Sequence, residues 1–370
     1  MAIAIRPYTE DLIPAVKAFN GRLACGGVAP EFHFPESNIP YWLRKADGRR
    51  IYQEYYLAVD SDFVRGGFIL KYQDVFLNGE MRPVVYYHLP VSEGIVNKAY
   101  ASVGVHLLRS ALRMQPMLFA LGMGGFDRPL PQMLKAMGWS LCAVPFYFKV
   151  HHPARVLGEI GPLRQGAGWR GLADLAAYTG TGWLGIKLVN FMRSRSAPRG
   201  LSAERINGFG LWADDLWRRC REHYRMIAVR DRDTLNVLYP ADEKFLCIKI
   251  SVGSGVVGWA VVLDTQMHNN KYFGNLRVGS IVDCLAAPEN AAAVIQAATR
   301  LLEDCGVDVI VSNESHAAWC DALGSAGFFR AQSNYIFAAS KSLAEVLAPF
   351  GTSRDQIFLN RGDGDGPVNL

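Results

Sequence analysis

The stretch YASVGVHLLRSALR, residues 100–113, places one glycine, Gly104, at the front of an apolar helical pattern. A helix start carries backbone N–H groups without intrahelical acceptors and the positive end of the helix dipole, so a small residue there suits a phosphate. DCLAAPENAAAVIQAATRLLEDCG, residues 283–306, repeats the layout with no glycine before its end. In that second stretch Pro288 removes one donor, and Asp283 and Glu289 bring negative charge near any anion. The first stretch is therefore the better anion site. A core helix with a small packing residue is the competing reading of both.

Other chemistries lack their signatures. No Gly-x-Ser-x-Gly, Walker loop or His-Glu-x-x-His occurs. GSGVVG (253–258) falls inside a hairpin pattern rather than opening a helix. The seven cysteines, at 25, 142, 220, 247, 284, 305 and 320, include no Cys-x-x-Cys. They suggest reduced thiols rather than a disulfide framework or a metal site, and no metal is expected.

The elements that must position these helix starts follow from periodicity. AIAIRPYT reads as a short strand, and EDLIPAVKAFNGRL as a helix with Thr9 as N-cap. Asn78-Gly79 between two β-rich runs predicts a hairpin. Then follow helix 98–113, strand 117–122, helix 128–139 and strand 142–150. Residues 155–205 read as a glycine-rich helical connector, with ADLAAYTGTGWLGIKLVNFMRSRS as a helix that packs between domains or lies on a membrane surface. The second half predicts helices over 207–240, two strands around 253–255, strand VGSIVDCLA, helix 288–304, strand 307–313, helix 316–326 and strand 334–340. The tail NRGDGDGPVNL reads as a loose end.

With 370 residues, half of them hydrophobic and a fifth charged, the chain has material for two cores. A net charge of +5 without any run of five basic residues fits an anionic ligand and argues against DNA binding. MAIAIRPYTEDL has no apolar signal core, and no run of eighteen uncharged apolar residues predicts a transmembrane segment. A cytoplasmic location is expected.

The halves share an element order and a matched point. LKAMGW (134–139) and LGSAGF (323–328) each run Leu, three residues, Gly, aromatic, and both the leucines and the glycines are 189 residues apart. This suggests a tandem duplication.

The strand–helix opening AIRPYTEDLIPAV, the meander, and the strand–helix–strand–helix run ending in Gly-Trp or Gly-Phe resemble the GNAT acyltransferase superfamily over residues 2–150 and, more loosely, 207–340. RDRDTLNVLYP and the paired domains are also similar to Fem-type aminoacyl transferases and GNAT-like proteins of exopolysaccharide loci. The resemblance implies an α/β (α+β) fold of two tandem GNAT-like domains, each a mixed, mostly antiparallel sheet flanked by helices. The expected division is a domain over 1–153, a connector over 154–206, a domain over 207–347 and a tail over 348–370.

The family's Arg/Gln-x-x-Gly-x-Gly/Ala loop, aligned on Leu107-Leu108, falls on Ala99, Ser102 and Gly104, with Lys98 one residue before. It keeps the last glycine and loses the Arg/Gln. The implied holders of an acyl-CoA pyrophosphate are Lys98, Ala101, Ser102, Val103 and Gly104. Transfer to an amine also needs a base near the parting of the central strands. His88 and Glu93 in the first half, and Asp283 and His316 in the second, are the candidates. Each is also readable as a satisfied polar group or helix cap, the commoner role for such a residue. The tyrosine that many relatives use as the acid is replaced by Leu134 and Leu323.

The leading expectation is an acetyl-CoA- or other acyl-CoA-dependent N-acyltransferase acting on a small-molecule or glycan-precursor amine. The alternatives are an aminoacyl-tRNA-dependent Fem-type enzyme and an inactive GNAT-fold binding module.

Overall fold

The computed structural model describes residues 3–40, 42–163 and 200–365. It is a mixed α/β protein with two sheets. In chain order the strands are β1 Ala4–Pro7, β2 Tyr52–Asp60, β3 Phe63–Leu77, β4 Glu80–Ser92, β5 Leu118–Met123, β6 Ser140–Ala143, β7 Phe146–Val150, β8 Leu201–Ile206, β9 Met226–Ala228, β10 Leu246–Val252, β11 Gly255–Gln266, β12 Arg277–Ala286, β13 Val309–Asn313, β14 Phe329–Ala331 and β15 Tyr335–Ala339. The main helices are α1 Ile13–Cys25, α2 Val103–Met114, α3 Pro129–Ala136, α4 Pro153–Leu163, α5 Leu211–Cys220, α6 Arg232–Leu238, α7 Ala291–Asp304 and α8 Ala317–Ser325.

The first sheet runs β1-β2-β3-β4-β5-β15-β6 and the second β14-β7-β13-β12-β11-β10-β8. In each, the middle contains one parallel pair, β4–β5 or β12–β13. The chain forms two compact units that are not contiguous in sequence, unlike a division at 153 and 206. One comprises the described residues within Met1–Val75, Glu80–Cys142 and Ile336–Gly351; the other, those within Phe76–Gly79, Ala143–Tyr335 and Thr352–Leu370.

Local rules account for most elements. Asn78 and Gly79 take φ of 50° and 87°, as a two-residue hairpin between right-twisted strands requires. Helix α2 carries Val103, Leu107, Leu108 and Ala111 on one buried stripe. Burying each of those leucines is worth roughly 2 kcal/mol. The stripe lies close to the sheet: a Cβ on Gly66 of β3 would stand 3.2 Å from Leu107 Cδ1 and 2.6 Å from the Val91 carbonyl. The second unit repeats this approach, since a Cβ on Gly258 of β11 would meet Val294 of α7 at 2.4 Å. Pro116 follows the end of α2, and Gln115 before it is already extended.

The repeated Leu-x-x-x-Gly-aromatic signature closes α3 and α8 in the same way. Gly138 and Gly327 take φ of 82° and 87°. The Trp139 and Phe328 amides donate to the carbonyls of Leu134 and Leu323, both at 3.0 Å.

Two expectations change. The run 142–150 is not one strand. Pro145, which has no N–H, separates β6 in the first sheet from β7 in the second. The tail is not a loose end as far as residue 365: Phe358, Asn360 and Asp363 are buried. The expected amphipathic connector helix falls largely within 164–199, outside the described residues.

Each sheet thus takes an inner strand from the other half of the sequence. Ser340, just after β15, secures the exchange in the first unit: its hydroxyl donates to the Pro116 carbonyl at 2.7 Å and accepts from the Leu118 amide at 3.0 Å. Fragments 1–206 and 207–370, expressed separately, each lack an inner strand. Neither is expected to show a cooperative thermal transition, whereas the two expressed together should. A cooperative melt of 1–206 alone would contradict the arrangement.

Candidate active site at the parting of strands β4 and β5

In the first unit β4 and β5 pair in parallel at Val85–Leu118 and Tyr86–Phe119. Beyond that point lie His88 and Leu89 on β4, and Leu121 and Gly122 on β5. Leu89 has φ of 44° and Gly122 of 92°, so both strands turn there. The Tyr86 hydroxyl donates to the Leu121 carbonyl at 3.2 Å and lies 3.1 Å from His88 Nδ1. His88 is half-buried.

The link from β4 to α2 is built of two 3₁₀ turns, Glu93–Ile95 and Lys98–Tyr100, rather than a glycine loop. Ser92 and Asn97 cap them by accepting from the Gly94 and Ala99 amides at 3.1 and 3.0 Å. Gly94 is forced by crowding, since a Cβ there would lie 2.6 Å from the Tyr100 carbonyl. Of the expected anion-binding residues, Ala101 spends its N–H on the Lys98 carbonyl at 3.1 Å. The α2 start has no side-chain cap, and the N–H groups of Ser102, Val103 and Gly104 donate to no acceptor among the described residues. Nothing comes closer than 3.7 Å, to Met133 Sδ, to a Cβ placed on Gly104. Ser102 and Lys98 are exposed.

Glu93 is no free base. Its carboxylate is buried and receives Arg22 Nε and Nη2, both at 3.0 Å, and Arg65 Nη1 at 3.1 and 3.0 Å. Burial opposes its charge, but the two guanidiniums outweigh burial and hold its carboxyl below the usual range. Glu93 anchors the link to α1 and β3. Sequence separations of 71 and 28 residues conceal these partners.

The second unit has the equivalent parting. β12 and β13 pair in parallel as far as Ile281–Ser312. Asp283 stands two residues past that pair, as His88 does past Tyr86. It is fully occupied: Arg230 Nε at 2.9 Å, Tyr239 Oη at 2.8 Å, Asn360 Nδ2 at 2.9 Å and the Cys284 amide at 2.8 Å all donate to it. The buried Arg230 also reaches Asp363 at 2.9 Å. Across the parting, Glu314 forms a β-bridge with Asn360, and the Ser315 amide donates to the Leu359 carbonyl at 3.0 Å. The chain's own segment 357–363 therefore lies between the two strands.

Glu314, which the sequence reading passed over for its neighbour His316, is wholly buried and accepts the Cys284 thiol at 3.4 Å. Burial drives its carboxyl far above the usual range; the Cys284 thiol opposes the shift and Asp283 adds to it. His316 is the N-cap of α8, with Nδ1 accepting from the Ala318 amide at 3.3 Å. The structure thus brings His88 to one parting and Asp283 to the other. It assigns Glu93 to an ion-pair anchor and His316 to a cap. Among the described residues no cluster of three metal-ligating side chains occurs, and no helix is long and apolar enough to cross a membrane.

No protein-family model and no curated protein matches the sequence. Solved structures do share its architecture. A conserved protein of unknown function from Enterococcus faecalis V583, described as a probable N-acyltransferase, matches at TM-score 0.53 and 10% identity, over 94% of this chain and 75% of its own. N-myristoyltransferase from Saccharomyces cerevisiae with bound myristoyl-CoA and inhibitors matches at TM-score 0.53 and 10% identity, over 92% and 79%. A GCN5-related N-acetyltransferase from Anabaena variabilis ATCC 29413 matches at TM-score 0.51 and 8% identity, over 91% and 72%. These likenesses span both units, and the fold is the GNAT fold.

Burial lowers the His316 pKa to about 4, with Asp355 opposing weakly. The folded protein therefore binds this proton less readily than the unfolded chain, whose histidine titrates near 6.5. The contribution is intact above pH 6.5 and is lost as pH falls toward 4, at a total of about 3 kcal/mol. Urea denaturation across this range should show the loss, and His316→Asn, which keeps a capping oxygen, should flatten it.

Proposed function

We propose that the protein is an acyl-CoA-dependent N-acyltransferase whose first unit holds the acyl-CoA. The observation that carries this reading is the start of α2. Three successive N–H groups, Ser102 to Gly104, lack acceptors among the described residues and stand just beyond the parting of β4 and β5. Uncommitted N–H donors at the positive end of a helix, with a half-buried glycine among them, suit a pyrophosphate. Arg22, Arg65 and Lys98 around this link outnumber Glu93 and favour an anion.

The second unit fits poorly. The start of α7 carries Pro288, which has no N–H, and the exposed Glu289. Segment 357–363 fills the parting itself.

In this reading His88 takes the proton of the attacking amine. It is half-buried and sits where the strands separate. Leu134, at the position of that tyrosine, is fully buried and carries no proton to give. The thiolate then leaves without an acid, which a thiol of ordinary pKa near 8.5 permits. The acceptor is a small amine; amino sugars and cell-envelope precursors belong in the first panel tested. The acyl group proposed is acetyl.

Calorimetry should detect one acetyl-CoA per chain, and desulfo-CoA should bind at the same site. Absence of binding by both at millimolar concentration would remove this reading. Gly104→Val should weaken acetyl-CoA binding by about 2–4 kcal/mol, the worth of a few charge-assisted hydrogen bonds to phosphate. Its thermal melt should stay near wild type, because a Cβ at Gly104 makes only ordinary contact, 3.7 Å to Met133 Sδ, and valine is the better helix former. Ala292→Val, on the exposed face of α7, should leave binding unchanged. The reverse pattern would move the site to the second unit.

A further inference from the structure

We infer that Tyr86 is a positioning residue that fixes the tautomer of His88, with the N–H on Nδ1 and the proton-accepting lone pair on Nε2. The inference rests on His88 being the base proposed above, but its physical content can be tested apart from any activity.

A carbonyl oxygen can only accept. The contact from Tyr86 Oη to the Leu121 carbonyl, 3.2 Å, therefore uses the single hydroxyl proton of Tyr86. His88 Nδ1 lies 3.1 Å from the same hydroxyl oxygen. With the hydroxyl proton directed to Leu121, that contact is a hydrogen bond only if Nδ1 is the donor. A neutral imidazole has one N–H, so the lone pair is on Nε2. When Nε2 takes the amine proton, the ring becomes an imidazolium. Its Nδ1–H continues to donate to Tyr86, and no other proton in the pair has to move.

The geometry is held from several sides. Tyr86 is buried and is the last β4 residue in register with β5. Its ring stacks on Phe119 at 5.1 Å and 21°, and Phe119 packs against Phe337 of β15 at 6.1 Å. The His88 ring lies 5.1 Å from that of Tyr86. The hydroxyl of a β4 residue thus reaches a β5 carbonyl where the strands separate, and one bond defines both the edge of the parting and the orientation of the imidazole. His88 lies two residues from Tyr86 on the same face of the strand. The left-handed Leu89 then redirects the chain.

Long-range proton–nitrogen NMR on protein labelled with ¹⁵N-histidine, at about two pH units above the ordinary histidine pKa of about 6.5, reads the tautomer directly. The His88 signals are assigned by their loss in His88→Gln. The expected wild-type pattern has a protonated, pyrrole-type Nδ1 and a pyridine-type Nε2. Tyr86→Phe keeps the ring stack and removes the acceptor, and should move the proton toward Nε2. Acetyl-CoA affinity should change less than threefold, because the hydroxyl's bonds to Leu121 and His88 lie on β5 and β4. A wild-type pattern with the proton on Nε2 would overturn the inference, as would a Tyr86→Phe pattern identical to wild type. If Tyr86→Phe does not fold, the wild-type pattern alone decides. Absence of acetyl-CoA binding with the expected tautomer would overturn the acyltransferase reading and leave the Tyr86–His88 assignment standing.

Discussion

An inner strand needs hydrogen-bond partners along both edges, and in each sheet one such strand comes from the other half of the sequence. β15 lies between β5 and β6, and β7 between β13 and β14. The consequence reaches the candidate site. β5 is committed on one edge to β15, and Ser340 ties the start of β5 by two hydrogen bonds. On its other edge it pairs with β4 only at Leu118 and Phe119, and a parting opens beyond them. The same constraint acts on β13, which pairs with β7 along Val309–Asn313 and with β12 only as far as Ser312. Where the strands part, backbone groups and side chains become available, and the two units use that opportunity differently.

The difference is one of charge and occupancy. At the second parting Arg230 faces Asp283 and Asp363 with all three buried. Such a cluster survives only with complete pairing, because an unpaired charge in the interior costs several kcal/mol. Asn360 and Tyr239 complete it, and the segment that delivers Asn360 and Asp363 occupies the space between the strands. At the first parting the charged groups lie beside the gap, in the link to α2, where Arg22 and Arg65 share Glu93. The gap itself carries the Tyr86–His88 pair. A buried anionic cluster already satisfied by its own chain suits a scaffold. A helix start with uncommitted donors and surplus cations suits a phosphate ligand.

What the sequence disclosed follows from the range of the interactions involved. The Asn78-Gly79 hairpin, the apolar stripe of α2, and the glycines at 138 and 327 are local, and residue types at short spacing define them. The order of strands up to β5 is nearly local too. The exchange of β7 and β15 is not, because choice of sheet edge leaves no periodic trace; Pro145 was its one local mark, an N–H missing from the middle of an apparent strand. The tail was misread because glycine and aspartate favour disorder, and its partner Arg230 is 130 and 133 residues away from Asn360 and Asp363. A lone arginine in the apolar run MIAVR was a signal that buried carboxylates must exist elsewhere. His88 was legible as a titratable residue near the central strands. Its partner Tyr86 went unremarked because an i, i+2 pair in a strand is unexceptional until the strands are seen to separate there.

In the proposed acyltransferase, the leucine at position 134 and the Tyr86–His88 pair bear on each other. Leu134 has no exposed surface, and its carbonyl receives the Trp139 and Met137 amides that close α3. A tyrosine there would have to carry its hydroxyl out of a packed core, so the helix end that anchors Trp139 has no room for a proton donor. Transfer from a thioester tolerates this, since a thiolate is a stable leaving group. It does not tolerate a protonated amine, which has no lone pair for attack. In the proposed reaction the demand for proton handling therefore falls on one step, deprotonation of the amine, and on the nitrogen of His88 assigned to it. A base that had to exchange tautomers before accepting a proton would hold its lone pair in the wrong place for part of the time. In the inferred arrangement, Nδ1–H is fixed against a hydroxyl whose own proton is committed to a backbone carbonyl, which removes that fraction with a residue that also packs on Phe119.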